Sequence, residues 1–132
     1  MKMTVLGCGR WGTFLACYHS RRNQVTLWGR PGSRAFARLK AEGRNDYLTL
    51  PENLRLEDDL EKALEGAEAV VISISAQQLR DLCRRLAGLD LSGKTFILCM
   101  KGIEVETGLR LTQVFRQEIP APLPLAVWVG PG

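Results

Sequence analysis

The stretch Thr4-Val5-Leu6-Gly7-Cys8-Gly9-Arg10-Trp11-Gly12-Thr13-Phe14-Leu15 decides the fold. Residues 3–6 form a short apolar run with the length of a buried strand. Glycines then fall at Gly7, Gly9 and Gly12, the G-x-G-x-x-G spacing, and an amphipathic helix pattern begins at once. Strand, glycine turn and helix start together give that spacing its meaning. Gly7 permits the tight turn, Gly9 lets the backbone approach a pyrophosphate with no Cβ in the way, and Gly12 lets the helix lie close to the strand. The unpaired N–H groups and positive dipole end of the helix then face phosphates.

Working outward, Trp11, Phe14, Leu15 and Tyr18 recur at i, i+3, i+4 and i+7, which predicts a core-facing stripe on a helix ending near Ser20. Residues 24–28 read as a second strand, followed by a turn and a helix that Ser33 can cap, with Phe36 and Leu39 as its apolar side. Residues 43–51 read as an irregular loop. Further strands are predicted at residues 54–56, 69–74, 95–100 and 125–129. Helices are predicted between them: one from Asp58 or Asp59 carrying Leu60, Ala63, Leu64 and Ala67, one carrying Leu79, Leu82, Cys83 and Leu86, and one from about Thr107 carrying Leu111, Val114, Phe115 and Ile119. Six strands alternating with helices predict a doubly wound α/β domain over residues 1–132, a mostly parallel six-stranded Rossmann sheet with helices on both faces. The chain stops in Gly130-Pro131-Gly132, directly after the last strand, which suggests a domain of a longer protein.

The 132 residues suffice for one domain with a real core, and 45% hydrophobic with 24% charged content fits an ordinary globular protein. No apolar stretch approaches the ~20 residues of a membrane span, and the N-terminus runs straight into a strand, leaving no room for a signal peptide. Cys8, Cys17, Cys83 and Cys99 show no C-x-x-C spacing and read as reduced thiols in a cytoplasmic protein. The single histidine, His19, excludes a histidine metal cluster and reads as a surface residue. A net charge of +4 is spread along the chain, densest between Arg21 and Arg44. That scatter fits a solvated basic surface or an anionic small-molecule site better than a nucleic-acid partner.

Two residues refine the cofactor. A domain that reads the ribose 2′-hydroxyl places Asp or Glu about 20 residues past the glycines. Here the second strand ends Leu27-Trp28-Gly29-Arg30, and an arginine there can take a 2′-phosphate bidentately and stack on adenine. This favours NADP(H), with NAD(H) as the alternative; the competing reading of Arg30 is a solvated turn residue. Lys101 follows the fifth strand at the ligand-binding edge and could hold a phosphate or polarise a carbonyl. Its competing reading is a surface lysine paired with Glu104.

The chain resembles the N-terminal domain of bacterial NAD(P)-dependent glycerol-3-phosphate dehydrogenase. The resemblance rests on Gly7-Cys8-Gly9-Arg10-Trp11-Gly12-Thr13, Leu27-Trp28-Gly29-Arg30, Asn45-Asp46-Tyr47-Leu48 with Leu50-Pro51-Glu52-Asn53-Leu54, Gln77-Gln78-Leu79-Arg80, Lys101-Gly102-Ile103-Glu104 and Gly130-Pro131. It implies an oxidoreductase that reduces dihydroxyacetone phosphate to sn-glycerol 3-phosphate for phospholipid synthesis. To the cofactor contacts read from the glycine turn at Gly7, Gly9 and Gly12 it adds Arg10, Trp11, Arg30 and Lys101, and it implies substrate contacts at Lys101 and Gly130. It also implies a homodimer for the full-length protein and a proton-transferring lysine in a helical C-terminal domain, so that no catalytic residue lies in this span. The chain departs from the family at Arg10, where serine is common, at Ser75, where proline is common, and at Gly132, where serine or threonine is common. Two other readings compete: a regulatory nucleotide-sensing domain of a potassium channel or transporter, and another two-domain NADP-dependent dehydrogenase.

Overall fold

The computed structural model describes residues 1–128. Strands β1 (Lys2–Leu6), β2 (Gln24–Trp28), β3 (Arg55–Glu57), β4 (Ala69–Ile72), β5 (Thr95–Leu98) and β6 (Leu125–Val127) form one sheet in the order β3-β2-β1-β4-β5-β6. Every neighbouring pair is parallel. The helices are α1 (Arg10–His19), α2 (Arg34–Glu42), α3 (Leu60–Leu64), α4 (Leu79–Ala87) and α5 (Leu111–Glu118), and a 3-10 turn, Ala76–Gln78, leads into α4. The doubly wound reading holds, with the strand order reversing between β1 and β4.

Period-2 alternation sends neighbouring side chains of one strand into two separate cores. Met3, Val5, Ala69 and Val71 pack with Leu15 and Ala16 of α1 and Leu39 of α2. Leu6, Val70, Ile72, Phe96 and Leu98 pack on the other face with residues of α3, α4 and α5. Thr4, polar and fully buried, donates its hydroxyl to the Ala63 carbonyl at 2.5 Å, which explains a threonine in a central strand. Ser33 and Asp59 cap α2 and α3 by accepting from the Phe36 and Lys62 amides, as their positions predict. At the other end of α3, buried Lys94 donates Nζ to the Leu64 and Ala67 carbonyls at 2.8 and 2.9 Å.

The structure departs from the sequence pattern at several points, including β3, which lies one residue later than expected, and β6, which ends at Val127. The α1 stripe does not face the core: Trp11, Phe14 and Tyr18 are exposed, while Gly12, Thr13, Leu15 and Ala16 are buried. The small residues must lie inward because Gly12 packs directly on the Gly7 carbonyl, so the rings turn outward and stack as a ladder, Trp11 on Phe14 at 5.3 Å and Phe14 on Tyr18 at 6.2 Å. Strands β4 and β5 each end two residues early, because the chain leaves the sheet after the Ser73 amide bonds Leu6 and the Cys99 amide bonds Ile72. Helix α5 starts at Leu111 rather than near Thr107, because Gly108 is left-handed (φ +74°) and an Ile103–Arg110 bridge closes the preceding loop. His19 is not simply a surface residue: its ring packs between Tyr18 and Trp128, and its Nε2 is buried with no hydrogen-bond partner among the described residues. Burial lowers its pKa.

The four cysteines are free thiols, and burial pushes Cys83 up to about 12 and Cys99 up to about 11. Among the described residues no helix is long and apolar enough to cross a membrane, and no cluster of His, Cys, Asp or Glu is arranged to hold a metal.

Candidate functional site

The ends of β1, β2, β4 and β5 open into one cavity of about 530 Å³. It sits at the reversal of strand order, where an open parallel sheet leaves a crevice beyond its strand ends. Its floor is the glycine turn. Gly7 has φ +119°, and a Cβ there would collide with the Ser73 carbonyl. A Cβ on Gly12 would collide with the Gly7 carbonyl. These two glycines are required by the protein itself. Gly9 differs: its backbone is extended (φ −69°, ψ −173°), and an added Cβ would meet nothing within 4 Å. Space beside Gly9 is therefore left open toward the cavity rather than filled by protein.

Gly9 is also the N-cap of α1, so no side chain caps this helix, and its first turn carries no acidic residue. The amide of Thr13 bonds the Gly9 carbonyl at 3.0 Å, which closes the first turn, and residues 9–12 at that helix start all line the cavity. The turn is held from outside: the Gly7 amide donates to the Trp28 carbonyl, Thr13 Oγ1 donates to the Cys8 carbonyl, and Cys8 Sγ lies 3.6 Å from Ser33 Oγ. An uncapped helix start with a glycine at its tip is an anion cradle.

The expected site residues that lie within residues 1–128 converge here. Gly7, Gly9, Arg10, Trp11, Gly12, Arg30 and Lys101 all line the cavity. Trp11 reaches it from the exposed side of α1. The Arg10 guanidinium lies 4.1 Å above the ring of Tyr47, which itself does not line the cavity. Arg30 is exposed and also lines an adjoining cleft of about 290 Å³ with Trp28, Ile74, Gln78 and Arg85. Gly29 is buried between β2 and α2, where a Cβ would strike the Phe36 ring. Lys101 is exposed beside Gly102, which is left-handed at φ +101°. Gly130 lies outside the described residues.

The structure also shows residues that spacing did not reveal. The loop at residues 43–51 is ordered by Asn45, whose Oδ1 accepts from the Tyr47 and Leu48 amides at 2.8 Å, and by an Arg44–Thr49 bridge; this presents Tyr47 to Arg10. Asn45 is the kind of residue that builds such a turn, so that signal was present. Glu104 does not serve as a surface carboxylate: it is buried, and Arg80 takes both its oxygens at 2.8 and 2.9 Å. Hydrogen bonds from Arg80 and Thr107 hold its carboxyl down at about 2.

Residues 2–132 match the family model described as NAD-dependent glycerol-3-phosphate dehydrogenase N-terminus. The chain belongs to this family. It is 40% identical over 140 residues to glycerol-3-phosphate dehydrogenase (NAD(P)+) of Chlorobium phaeobacteroides, covering 99% of this chain and 41% of that relative. It is 39% identical over 138 residues to the enzyme of the same name from Acidithiobacillus ferrooxidans, covering 39% of it. Among solved structures, glycerol-3-phosphate dehydrogenase from Coxiella burnetii superimposes with a TM-score of 0.85 at 27% identity, over 96% of this chain and 39% of that one. The chain thus corresponds to well under half the length of the dehydrogenases it matches, and it is their nucleotide-fold portion that it shares. Membership sets aside the channel-sensor reading and the other two-domain dehydrogenases.

Proposed function

We propose that residues 1–132 are the cofactor-binding domain of an NAD(P)H-dependent enzyme that reduces dihydroxyacetone phosphate to sn-glycerol 3-phosphate. The observation that carries this reading is the uncapped start of α1 at Gly9, opening into a cavity at the reversal of strand order, in a chain of this family. The residues present fit a dinucleotide: two glycines are demanded by the backbone, while the third leaves an open cradle. Amides at the start of α1 bind the pyrophosphate, with the helix dipole adding to the attraction. Arg30 receives the adenosine ribose and its 2′-phosphate, which favours NADP(H) over NAD(H). The bound nicotinamide supplies the hydride that reduces the substrate carbonyl. Lys101 lines the same cavity and holds the phosphorylated substrate or polarises its carbonyl, with Gly130 on the substrate side. By the family resemblance, proton transfer to the new hydroxyl belongs to a lysine in a helical domain after this span. This span alone then binds cofactor without turnover. The full-length enzyme is assigned as a cytoplasmic homodimer that serves glycerophospholipid synthesis.

Arg30→Asp in the full-length enzyme tests the cofactor assignment. Losing charge-assisted hydrogen bonds worth about 1.5–3 kcal/mol should weaken NADPH roughly 10- to 150-fold and NADH far less. Equal weakening of both nucleotides would show that Arg30 does not read the 2′-phosphate.

A further inference from the structure

The loop after β5 carries Lys101 into the cavity and then runs on as irregular chain to Leu111. The Ile103–Arg110 bridge and the Glu104 amide's bond to the Leu109 carbonyl close this segment on itself, but fixing it relative to the sheet still costs conformational entropy that contacts to a neighbouring element must offset. The turn after β4 supplies the hold. Gln77 Nε2 donates to the Ile103 carbonyl at 3.1 Å, and Gln77 Oε1 accepts from the Val105 amide at 2.9 Å. One side-chain amide thus pairs with the backbone on both sides of Glu104. Three residues on, Arg80 grips Glu104 through Nε and Nη2 and reaches Glu118 of α5 through Nη1 at 2.6 Å. Thr107 Oγ1 closes the loop on Glu104 Oε1 at 2.6 Å.

Gln77, Arg80 and Glu104 do not line the cavity, whereas their neighbours Ala76, Gln78 and Lys101 do. The two walls facing the reaction end of the site are therefore fastened together from behind. We infer that Gln77 and the Arg80–Glu104 pair are positioning residues for Lys101, clamping the loop after β5 onto the turn after β4. The inference rests on the substrate-side role given to Lys101 above. Small displacements of a substrate-positioning group can cost up to about 100-fold in rate, so the clamp reads out in catalysis rather than in folding alone.

A double-mutant cycle in the full-length enzyme tests it. Gln77 is exposed, so Gln77→Ala should fold with a melting temperature close to wild type. It should lower kcat/KM for dihydroxyacetone phosphate about tenfold while leaving the Kd for NADPH unchanged. In a Lys101→Ala background the same substitution should cost less than about twofold, because the group it positions is gone. Glu104→Gln, which leaves Arg80 facing a neutral amide, should repeat the kinetic pattern, though with a lower melting temperature. An equal loss in both backgrounds would make the clamp merely structural and overturn the inference. So would a crippled Lys101→Ala enzyme beside a fully active Gln77→Ala enzyme. Near-normal activity of Lys101→Ala would instead overturn the role of Lys101 and the clamp with it. Failure of the wild-type enzyme to reduce dihydroxyacetone phosphate with either nucleotide would overturn the functional reading on which both depend.

Discussion

Gly7 and Gly9 hold the same letter in the motif, yet a methyl group added to each would meet different surroundings. At Gly7 it would strike the Ser73 carbonyl in a backbone conformation that L-residues rarely adopt. At Gly9 it would enter open space beside an ordinary extended backbone. Gly7→Ala should therefore lower the melting temperature of the free protein, since strained positions of this kind cost about 1–3 kcal/mol. Gly9→Ala should leave that melting temperature near wild type and weaken NADPH about tenfold, or about 1.4 kcal/mol. Thermal unfolding with and without nucleotide separates the two effects; Gly9→Ala binding as tightly as wild type would mean that no phosphate approaches this backbone. The glycines were legible in sequence because their role follows from covalent geometry. Tyr47 under Arg10 was not, because the loop that delivers it has no period and the pairing is made only by the fold. His19 was misjudged for a similar reason, since Trp128 covers it from the far end of the chain.

Among the elements, the doubly wound class and the succession of strands and helices followed from alternation, while helix facing did not. A spacing of i, i+3, i+4 and i+7 marks an apolar stripe, but in α1 the close approach demanded by Gly12 outranks it and turns the large rings to solvent. The late start of α5 was hidden because the Ile103–Arg110 bridge that closes the preceding loop joins residues local pattern does not pair, and Glu104 inside that loop belongs to a network reaching α4 and α5. That network also predicts a pH dependence. The Glu104 carboxyl falls from an ordinary 4.5 to about 2, chiefly through its hydrogen bond from Arg80, and Glu118 is lowered as well. A depressed acid stabilises the folded state in full above its unfolded value and loses that contribution as pH falls through the folded one. The difference in melting temperature between wild type and Glu104→Gln should thus be greatest near neutral pH and narrow below about 4.5. A difference that stays constant down to about pH 3 would show that the substitution acts through packing rather than charge.

Across the whole molecule, two cores on opposite faces of one parallel sheet fix the strand ends, and the strand ends fix the cavity. Arg30 follows β2 and Lys101 follows β5, on either side of β1 and the start of α1 in the strand order, and all three line the cavity. A dinucleotide is the ligand whose two phosphates would lie at that helix start while its ends reach both residues. The measurement that tests this most directly is a fluorescence titration of the protein with NADPH and with NADH, since Trp11 and Trp28 both line the cavity. Saturable quenching is expected with one nucleotide per chain, tighter for NADPH than for NADH. Absence of saturable binding by either nucleotide would contradict the dinucleotide assignment.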